Sequence, residues 1–193
     1  MAIKTIYGRF PAEGEIIGRL IVEYTNLELQ AVHNIVHAGI SDFNSVIKEI
    51  YKRMGESKRL TLIRKIGLQG YKSLSLDSEF NESIDNIDYC RQIRNQYSHS
   101  IFWDDWGESF GFANLEDVAK QNAIVQNWKT LPRNEIDIPI LHLQENYFEY
   151  TDHYFLWLIN EAKKRLDRPC RPQLKPQKLA RPPLCKPPAE YIR

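Results

Sequence analysis

The chain has 193 residues, of which 42% are hydrophobic, and its formal net charge is +1. This length is typical of a single domain and is sufficient to bury a hydrophobic core, so we expect a globular protein rather than a disordered one. The charge is uneven: residues 167–193 contain seven Lys or Arg and two acids, which leaves 19 basic and 23 acidic residues in 1–166. The body is therefore not a generic nucleic-acid-binding surface.

The cysteine content and the hydropathy of the chain indicate in which cellular compartment we expect the protein. Cys90, Cys170 and Cys185 are widely spaced and form no metal-ligand pattern, so we interpret them as reduced thiols in a cytoplasmic protein. Charged residues interrupt the N-terminal segment, and no run of about 18 apolar residues occurs. We therefore expect neither secretion nor a membrane span.

The first predicted helix covers residues 11–38 and is apolar on more than one side. Pro11 suits a first turn, and Gly39 provides the stop. One stripe contains Ile17, Ile21, Tyr24, Ala31 and Ile35, and a second contains Val22, Leu29, Val32 and Val36. Because such a helix is buried by more than its own bundle, we expect it to form much of a homodimer interface.

Two polar features of this helix leave alternatives open. Glu28, on the first stripe, is either the partner of Arg91 or Arg94 or an edge glutamate that reaches water. His33 and His37 lie one helical turn apart, a spacing that can chelate a metal. No HExxH-type carboxylate stands between them and no third ligand is obvious, so we favour ordinary surface or interface histidines and expect no metal or other cofactor.

Two shorter helices are predicted next, from Phe43 to Met54 and over residues 57–66. The second holds the only strong basic cluster of the body: Lys58, Arg59, Arg64 and Lys65. Such a cluster either follows a phosphate backbone or is a solvated face, and we favour the second interpretation. Glycines and serines in residues 67–76 predict a loop that leads to the next helix, with Asp77 or Ser78 as its N-cap.

The segment from Phe80 to Ile101 carries the most informative pattern. Its helical stripe consists of Phe80, Ile84, Ile87, Arg91, Arg94 and Ser98. Two arginines thus take positions where core residues are expected, which requires a nearby carboxylate or an anion-binding cleft. His99 follows, with the side chain best suited to proton transfer near neutral pH.

An arginine followed by asparagine, then three residues and a histidine, late in an internal helix of a small all-α protein, resembles the HEPN family. Here the motif is Arg94, Asn95 and His99, and the resemblance covers residues 11–166. It implies an antiparallel helical bundle that dimerises, so that two motifs share one cleft, and commonly metal-independent RNA cleavage. In the members controlled by partner nucleotidyltransferases a tyrosine stands two residues after the histidine. Ile101 occupies that place here, so this form of regulation is not implied.

The resemblance implies a catalytic role for Arg94, Asn95 and His99. Metal-free RNA cleavage needs a base for the 2′-hydroxyl, an acid for the 5′-oxygen and cationic donors for the phosphorus. Asn95 shares a face with His99 and can orient its ring. Arg94 and His99 point about 140° apart on an ideal helix, so they converge only if the helix frays near Ser98 or if they act across subunits. The alternative is that both are helix-end residues that brace the bundle.

Candidate substrate-binding residues lie on both sides of the motif. Arg91 belongs to the same stripe, and Trp103 and Trp106 lie in an aromatic segment that predicts a short β-hairpin or flap. The two tryptophans either stack on unpaired RNA bases or are buried by the flap itself, and we favour burial. Helices are predicted from Asn114 to about Trp128 and from Pro139 to Leu166.

Residues 167–193 hold seven of the ten prolines, and we expect this tail to be extended and disordered. This tail is either inert or holds RNA or a partner.

Residues 1–166 are predicted to form a HEPN-like helical domain. The protein is expected to act as an endoribonuclease in a toxin or anti-phage setting. Its expected partners are RNA, a second copy and an antitoxin or regulatory protein. The alternative is a catalytically silent HEPN-like dimer that binds a protein or a nucleotide.

Overall fold

The computed structural model describes residues 8–39, 42–52, 55–104, 110–120, 131 and 133–185. Six helices and three short strands lie in this part of the chain. The helices are α1 (Pro11–His37), α2 (Phe43–Tyr51), α3 (Glu56–Ser73), α4 (Asp77–Ser98), α5 (Leu115–Lys120) and α6 (Ile138–Arg165). The strands are β1 (Ser100–Asp104), β2 (Phe110–Asn114) and β3 (Asn134–Glu135). The prediction of a mostly helical protein is confirmed, and a small antiparallel sheet is added to it.

The described residues form two compact units. The first contains residues 8–22, 92–104, 110–120, 131, 133–146 and 181–185. The second contains residues 23–39, 42–52, 55–91 and 147–180. The helices α1, α4 and α6 have residues in both units.

The core of the first unit is an aromatic cluster on the sheet. The strand order is β1–β2–β3, and the central strand β2 is buried along its whole length. Phe102 lies opposite Phe112 in the antiparallel register, with Phe110 5.7 Å away on the same face. Phe110 stacks on Phe10 at 4.9 Å, and Tyr97 of α4 packs on Phe112 at 5.3 Å. The aromatic alternation in the sequence thus holds the sheet against the end of α4.

The strands β1 and β2 fall where the sequence predicts a hairpin or flap. Their connection, residues 105–109, lies outside the described residues, as do residues 121–128 of the predicted helix 114–128. The described part of that helix is α5. Strand β3 is not predicted, because two residues are too few to show an alternating pattern.

The second unit buries tyrosine rings whose hydroxyl groups have specific partners. Tyr71 stacks on Phe80 at 4.4 Å and donates a hydrogen bond of 2.9 Å to the side-chain oxygen of Asn34. Tyr147 donates to Asn86 at 2.9 Å. Because buried hydroxyl groups are costly without a partner, these bonds fix the register of the packed helices.

The loop predicted for residues 67–76 is wrong. Helix α3 continues to Ser73, and the turn before α4 is made by Leu74, Ser75 and Leu76, with Ser75 at a positive φ of 54°. Gly67 is buried in the helix, where an added Cβ would lie 2.2 Å from the ring of Phe80. The glycine therefore permits a close approach of two helices, whereas the sequence pattern suggests a break. Helix α4 begins at Asp77 itself.

The predicted apolar stripe of α4 is correct at its start and wrong at its end. Phe80, Ile84 and Ile87 are buried, but the core face then continues through Cys90, Ile93 and Tyr97. Arg91 and Arg94 are only half-buried. The next core residue after Ile87 is Cys90, three positions later, whereas the prediction places Arg91, four positions later, on the core face. Both spacings are compatible with a helix of 3.6 residues per turn.

The second apolar stripe of α1 is only partly exposed. Val32 is fully buried, so its expected place in a dimer interface is wrong. Val22 and Leu29 of the same stripe are 61% and 38% exposed. The homodimer stays a prediction, and an interface on this stripe would rest on these two residues and the partly exposed Val36.

Residues 168–185 of the tail form no helix or strand, in agreement with their proline content. The expected disorder of the tail stays a prediction, although several of its side chains make defined contacts. In the second unit Lys178 forms an ion pair of 2.8 Å with Glu82. In the first unit Cys185 is only 6% exposed. Prolines prevent a helix but leave the lysine and cysteine side chains able to make contacts, which the composition does not reveal.

Candidate functional site

The predicted motif lies where α4 ends and β1 begins. Helix α4 ends at Ser98, His99 occupies the turn, and Ser100 is the first residue of β1. The angle of an ideal helix therefore does not apply between Arg94 and His99. The sequence leaves two ways in which Arg94 and His99 could converge, a helix that ends near Ser98 or action across subunits. The observed end of α4 corresponds to the first.

Asn114, the last residue of β2, fixes this helix end. Its side-chain nitrogen donates to the carbonyl oxygens of Asn95 and Gln96, which lie in the last turn of α4. Its side-chain oxygen accepts from the backbone nitrogens of Glu116 at 2.9 Å and Asp117 at 3.1 Å, at the start of α5. One buried amide thus caps two helices at once and sets the position of Glu116.

The imidazole of His99 is paired with Glu116. Its Nε2 atom lies 3.7 Å from Oε1 of Glu116, and both side chains are 53% exposed. The backbone oxygen of His99 accepts a 3.1 Å hydrogen bond from the nitrogen of Leu115, which ties the turn to α5. The exposure of the ring leaves it open to a ligand.

A cleft of about 400 Å³ opens beside this pair. It is lined by Ser98, His99, Ser100, Leu115, Glu116 and Ala119. Two hydroxyl groups, an imidazole and a carboxylate therefore converge on one open surface. Sequence reasoning missed Glu116 and Asn114 as site residues, although an asparagine two residues before a pair of acids is a recognisable helix start.

The predicted catalytic residues Arg94 and Asn95 contact each other. The Nη1 atom of Arg94 donates to the side-chain oxygen of Asn95 at 2.9 Å and to the hydroxyl oxygen of Ser98 at 3.4 Å. The ring of His99 contacts Glu116, and the role expected for Asn95 in orienting this ring stays a prediction. The side chain of Asn95 accepts from the guanidinium of Arg94.

Another side of the motif helix contacts Cys185, the last described residue of the tail. Gln96 pairs with the backbone of Cys185, donating to its oxygen at 3.1 Å and accepting from its nitrogen at 3.4 Å. Tyr97 donates to Gln144 at 2.7 Å, and Gln144 donates to the oxygen of Pro183 at 3.0 Å. Burial raises the pKa of Tyr97, so its hydroxyl stays protonated and acts as a donor.

The predicted substrate-binding residues have separate surroundings. Arg91 belongs to the second unit, where it pairs with Asp88 at 3.0 Å. Trp103 lies in the first unit with the guanidinium of Arg133 5.0 Å from its ring centre, so one face of the ring is covered. Trp106 lies outside the described residues.

Two of the four residues of the basic cluster of α3, Arg59 and Arg64, form ion pairs within the second unit. Arg59 binds Glu28 through two hydrogen bonds of 2.8 and 3.1 Å, and the hydroxyl of Tyr51 donates to the same carboxylate at 3.1 Å. Glu28 is 2% exposed, so both predicted interpretations of it, a partner for Arg91 or Arg94 and an edge position, are wrong. Arg64 pairs with Asp85.

His33 and His37 line a separate cleft of about 550 Å³ in the second unit. Their ring centres are 6.4 Å apart, and burial, followed by the nearby charge of Lys163, lowers the pKa of His37. Across the described residues, no group of three or more His, Cys, Asp or Glu side chains is placed to hold a metal ion.

The described residues thus define a mostly helical protein with a small antiparallel sheet and a polar site at one helix end. None of the six described helices is both long and apolar enough to cross a membrane. Comparison with known proteins finds no family model, no curated protein and no solved structure that matches this chain.

Proposed function

We propose that this protein is a metal-independent endoribonuclease of the HEPN type. The observation that supports this proposal best is the environment of His99. Its imidazole stands outside the helix, half exposed, beside the carboxylate of Glu116 in an open cleft. An exposed imidazole with a neighbouring carboxylate is suited to accept and return a proton.

In the proposed reaction the RNA supplies its own nucleophile. The 2′-hydroxyl loses its proton to His99 as its oxygen attacks the phosphorus. The bond from phosphorus to the 5′-oxygen breaks, and that oxygen takes a proton from an acid. The products are a 2′,3′-cyclic phosphate and a 5′-hydroxyl end. Glu116 stabilises the imidazolium that forms on His99.

Arg94 is proposed to stabilise the charge that develops on the phosphoryl oxygens. Its guanidinium is held by Asn95 and Ser98 through Nη1. A guanidinium that is already fixed loses little entropy when it meets a phosphate. Arg94 and Asn95 thus act as one unit in this proposal.

A single imidazole cannot easily serve as both base and acid in one turnover. We therefore propose that two copies of the chain bring two His99 side chains to one cleft, one as base and one as acid. A toxin or anti-phage setting in the cytoplasm, with an antitoxin or regulatory protein as partner, belongs to the same proposal.

The test is cleavage of single-stranded RNA by the purified protein in EDTA. We expect products with 2′,3′-cyclic phosphate ends, because the 2′-hydroxyl is the nucleophile. A requirement for added divalent metal would contradict the mechanism.

The second candidate is a catalytically silent binding module for a protein or a nucleotide. The hydrogen bonds from Arg94 to Asn95 and Ser98 favour it, because they also describe an arginine that only braces a helix end. Absence of cleavage for any RNA tested, together with saturable binding of a ligand that shifts the resonances of His99, would support this candidate.

A further inference from the structure

The tail of the second unit folds back along α6. Asp167 takes a positive φ of 51°, and Arg168 donates from its backbone nitrogen to the oxygen of Lys163 at 2.9 Å, which ends the helix. Further along, Asn160 donates to Gln173 at 3.0 Å. Since the residue numbers rise in the tail as they fall in α6, the tail runs antiparallel to the helix.

The side chain of Lys175 lies in a cage of two aromatic rings and a carboxylate. Its ammonium nitrogen is 4.9 Å from the ring centre of Trp157 and 5.5 Å from that of Tyr154. The two rings are 5.4 Å apart at 68°, and Oε1 of Glu79 is 3.9 Å from the ammonium. This arrangement recognises an ammonium group through the ring faces and a counter-charge.

The side chain of Lys178 is bound by the next carboxylate of α4. Its ammonium lies 2.8 Å from Oε1 of Glu82. The other oxygen of Glu82 accepts a 2.8 Å hydrogen bond from the hydroxyl of Tyr154. Tyr154 therefore belongs to both lysine subsites and fixes the distance between them.

The spacing of the two lysines matches an extended proline-containing segment. Pro176 lies between them, and a polyproline II helix has three residues per turn, so residues 175 and 178 project from the same side. Glu79 and Glu82 are three apart on α4 and also share a face. The carboxylates and the lysines therefore match one to one.

We propose that Glu79, Glu82, Tyr154 and Trp157 form a recognition groove for a Lys-Pro-x-Lys segment, and that the chain's own residues 175–178 are its resident ligand. The lysine side chains are 45% and 78% exposed. Cation–π contacts and ion pairs at exposed positions are individually weak. The resident segment is therefore exchangeable, and the same sequence supplied by another molecule competes for the groove. This inference does not depend on the proposed nuclease activity.

The test uses the intact chain with both lysines replaced, Lys175→Gln with Lys178→Gln, which empties the groove of ammonium groups. The probe is a synthetic peptide with the sequence of residues 171–180, followed through the indole resonance of Trp157. We expect saturable binding with a dissociation constant on the order of 1 mM and at least tenfold weaker binding to the unsubstituted chain.

Two controls make the outcome decisive. A peptide with glutamine at both lysine positions is expected not to shift the Trp157 resonance, and adding Glu82→Gln to the double-lysine variant is expected to weaken binding of the lysine peptide. Equal shifts by both peptides, or no saturable shift in the double-lysine variant, would overturn the proposal and leave the tail as ordinary packing.

Discussion

Two regions of the molecule each pair a basic side chain with a glutamate, and they differ in burial. In the second unit Arg59 binds Glu28 at 2.8 Å, with side chains 17% and 3% exposed. In the first unit His99 lies 3.7 Å from Glu116, with both side chains 53% exposed. The first pair is closed to ligands by its surroundings, and the second is open to them.

The same kind of contact has different energetic consequences at different degrees of burial. A buried carboxylate needs its partner because an uncompensated charge in the core is costly. An exposed pair contributes little to stability and can be broken or protonated at small cost. The second unit therefore uses the ion pair to fix its helices, whereas we propose that the first unit uses it for proton transfer.

The largest expected effect is on the buried pair. Replacing Glu28 with alanine removes the carboxylate that binds the guanidinium of Arg59 at 2.8 Å, leaves Glu56 at 3.9 Å, and takes the acceptor from the hydroxyl of Tyr51. We expect the free energy of unfolding to fall by about 3–5 kcal/mol, measured by urea denaturation. The matched control is Asp85→Ala, which removes the exposed partner of Arg64 and is expected to cost about 1 kcal/mol or less. Equal losses in the two variants would show that burial does not distinguish these pairs.

The close packing of the second unit gives the next effect. Gly67→Ala places a Cβ against the ring of Phe80, 2.2 Å from its nearest atom. We expect a loss of about 1–3 kcal/mol in thermal or urea unfolding. Gly18→Ala is the control, since nothing lies within 4 Å of an added Cβ at that exposed helical position, and it is expected to stabilise by up to about 1 kcal/mol. A stabilised Gly67→Ala variant would contradict the packing of α3 on α4.

The cap of the first unit gives a smaller effect on stability. Asn114→Ala removes the acceptor at the start of α5 and the donor at the end of α4, so we expect a loss of about 1–2 kcal/mol and reduced RNA cleavage because Glu116 is displaced. Asp42→Ala is the control, since Asp42 also accepts from a backbone nitrogen at a helix start, that of Ser45 at 3.0 Å. The Asp42→Ala variant should lose similar stability and keep its cleavage activity. If cleavage fell equally in both variants, the effect of Asn114→Ala would come from lost stability and not from a displaced Glu116.

The sequence predicts the long helices well because their apolar stripes are long and regular. Helix α1 is predicted over residues 11–38 and observed over Pro11–His37. The errors arise where one residue type has two uses. Gly67 permits close packing, although glycine usually indicates a turn. Arg59 is the ion-pair partner of the buried Glu28, although it lies in a run whose composition predicts a solvated face.

The candidate site is predictable only in part, for a related reason. His99 stands out because of its local motif. Glu116 contacts His99 although it lies 17 residues later in the sequence. This contact depends on the register of β1 and β2, which pairs Ser100 with Asn114 and so brings the start of α5 next to His99. Lys175 and Trp157 likewise meet only because the tail reverses at Asp167.

The exposed pair itself should contribute least to stability. Glu116→Gln keeps the shape of the side chain and removes its charge, so we expect a change in the free energy of unfolding within about 0.5 kcal/mol. Cleavage should fall by about tenfold, since the imidazolium of His99 loses its stabilising partner. Unchanged cleavage would show that Glu116 lies beside His99 without contributing to the reaction.

The central claim is that His99 transfers protons, and the most direct test measures RNA cleavage and thermal unfolding of His99→Ala together. We predict that cleavage falls by about a hundredfold or more, while helix content and the melting temperature stay close to those of the unsubstituted protein, because the ring is half exposed. A variant that loses about 1 kcal/mol of stability and cleaves RNA as well as the parent would contradict the claim and identify His99 as a brace for the end of α4.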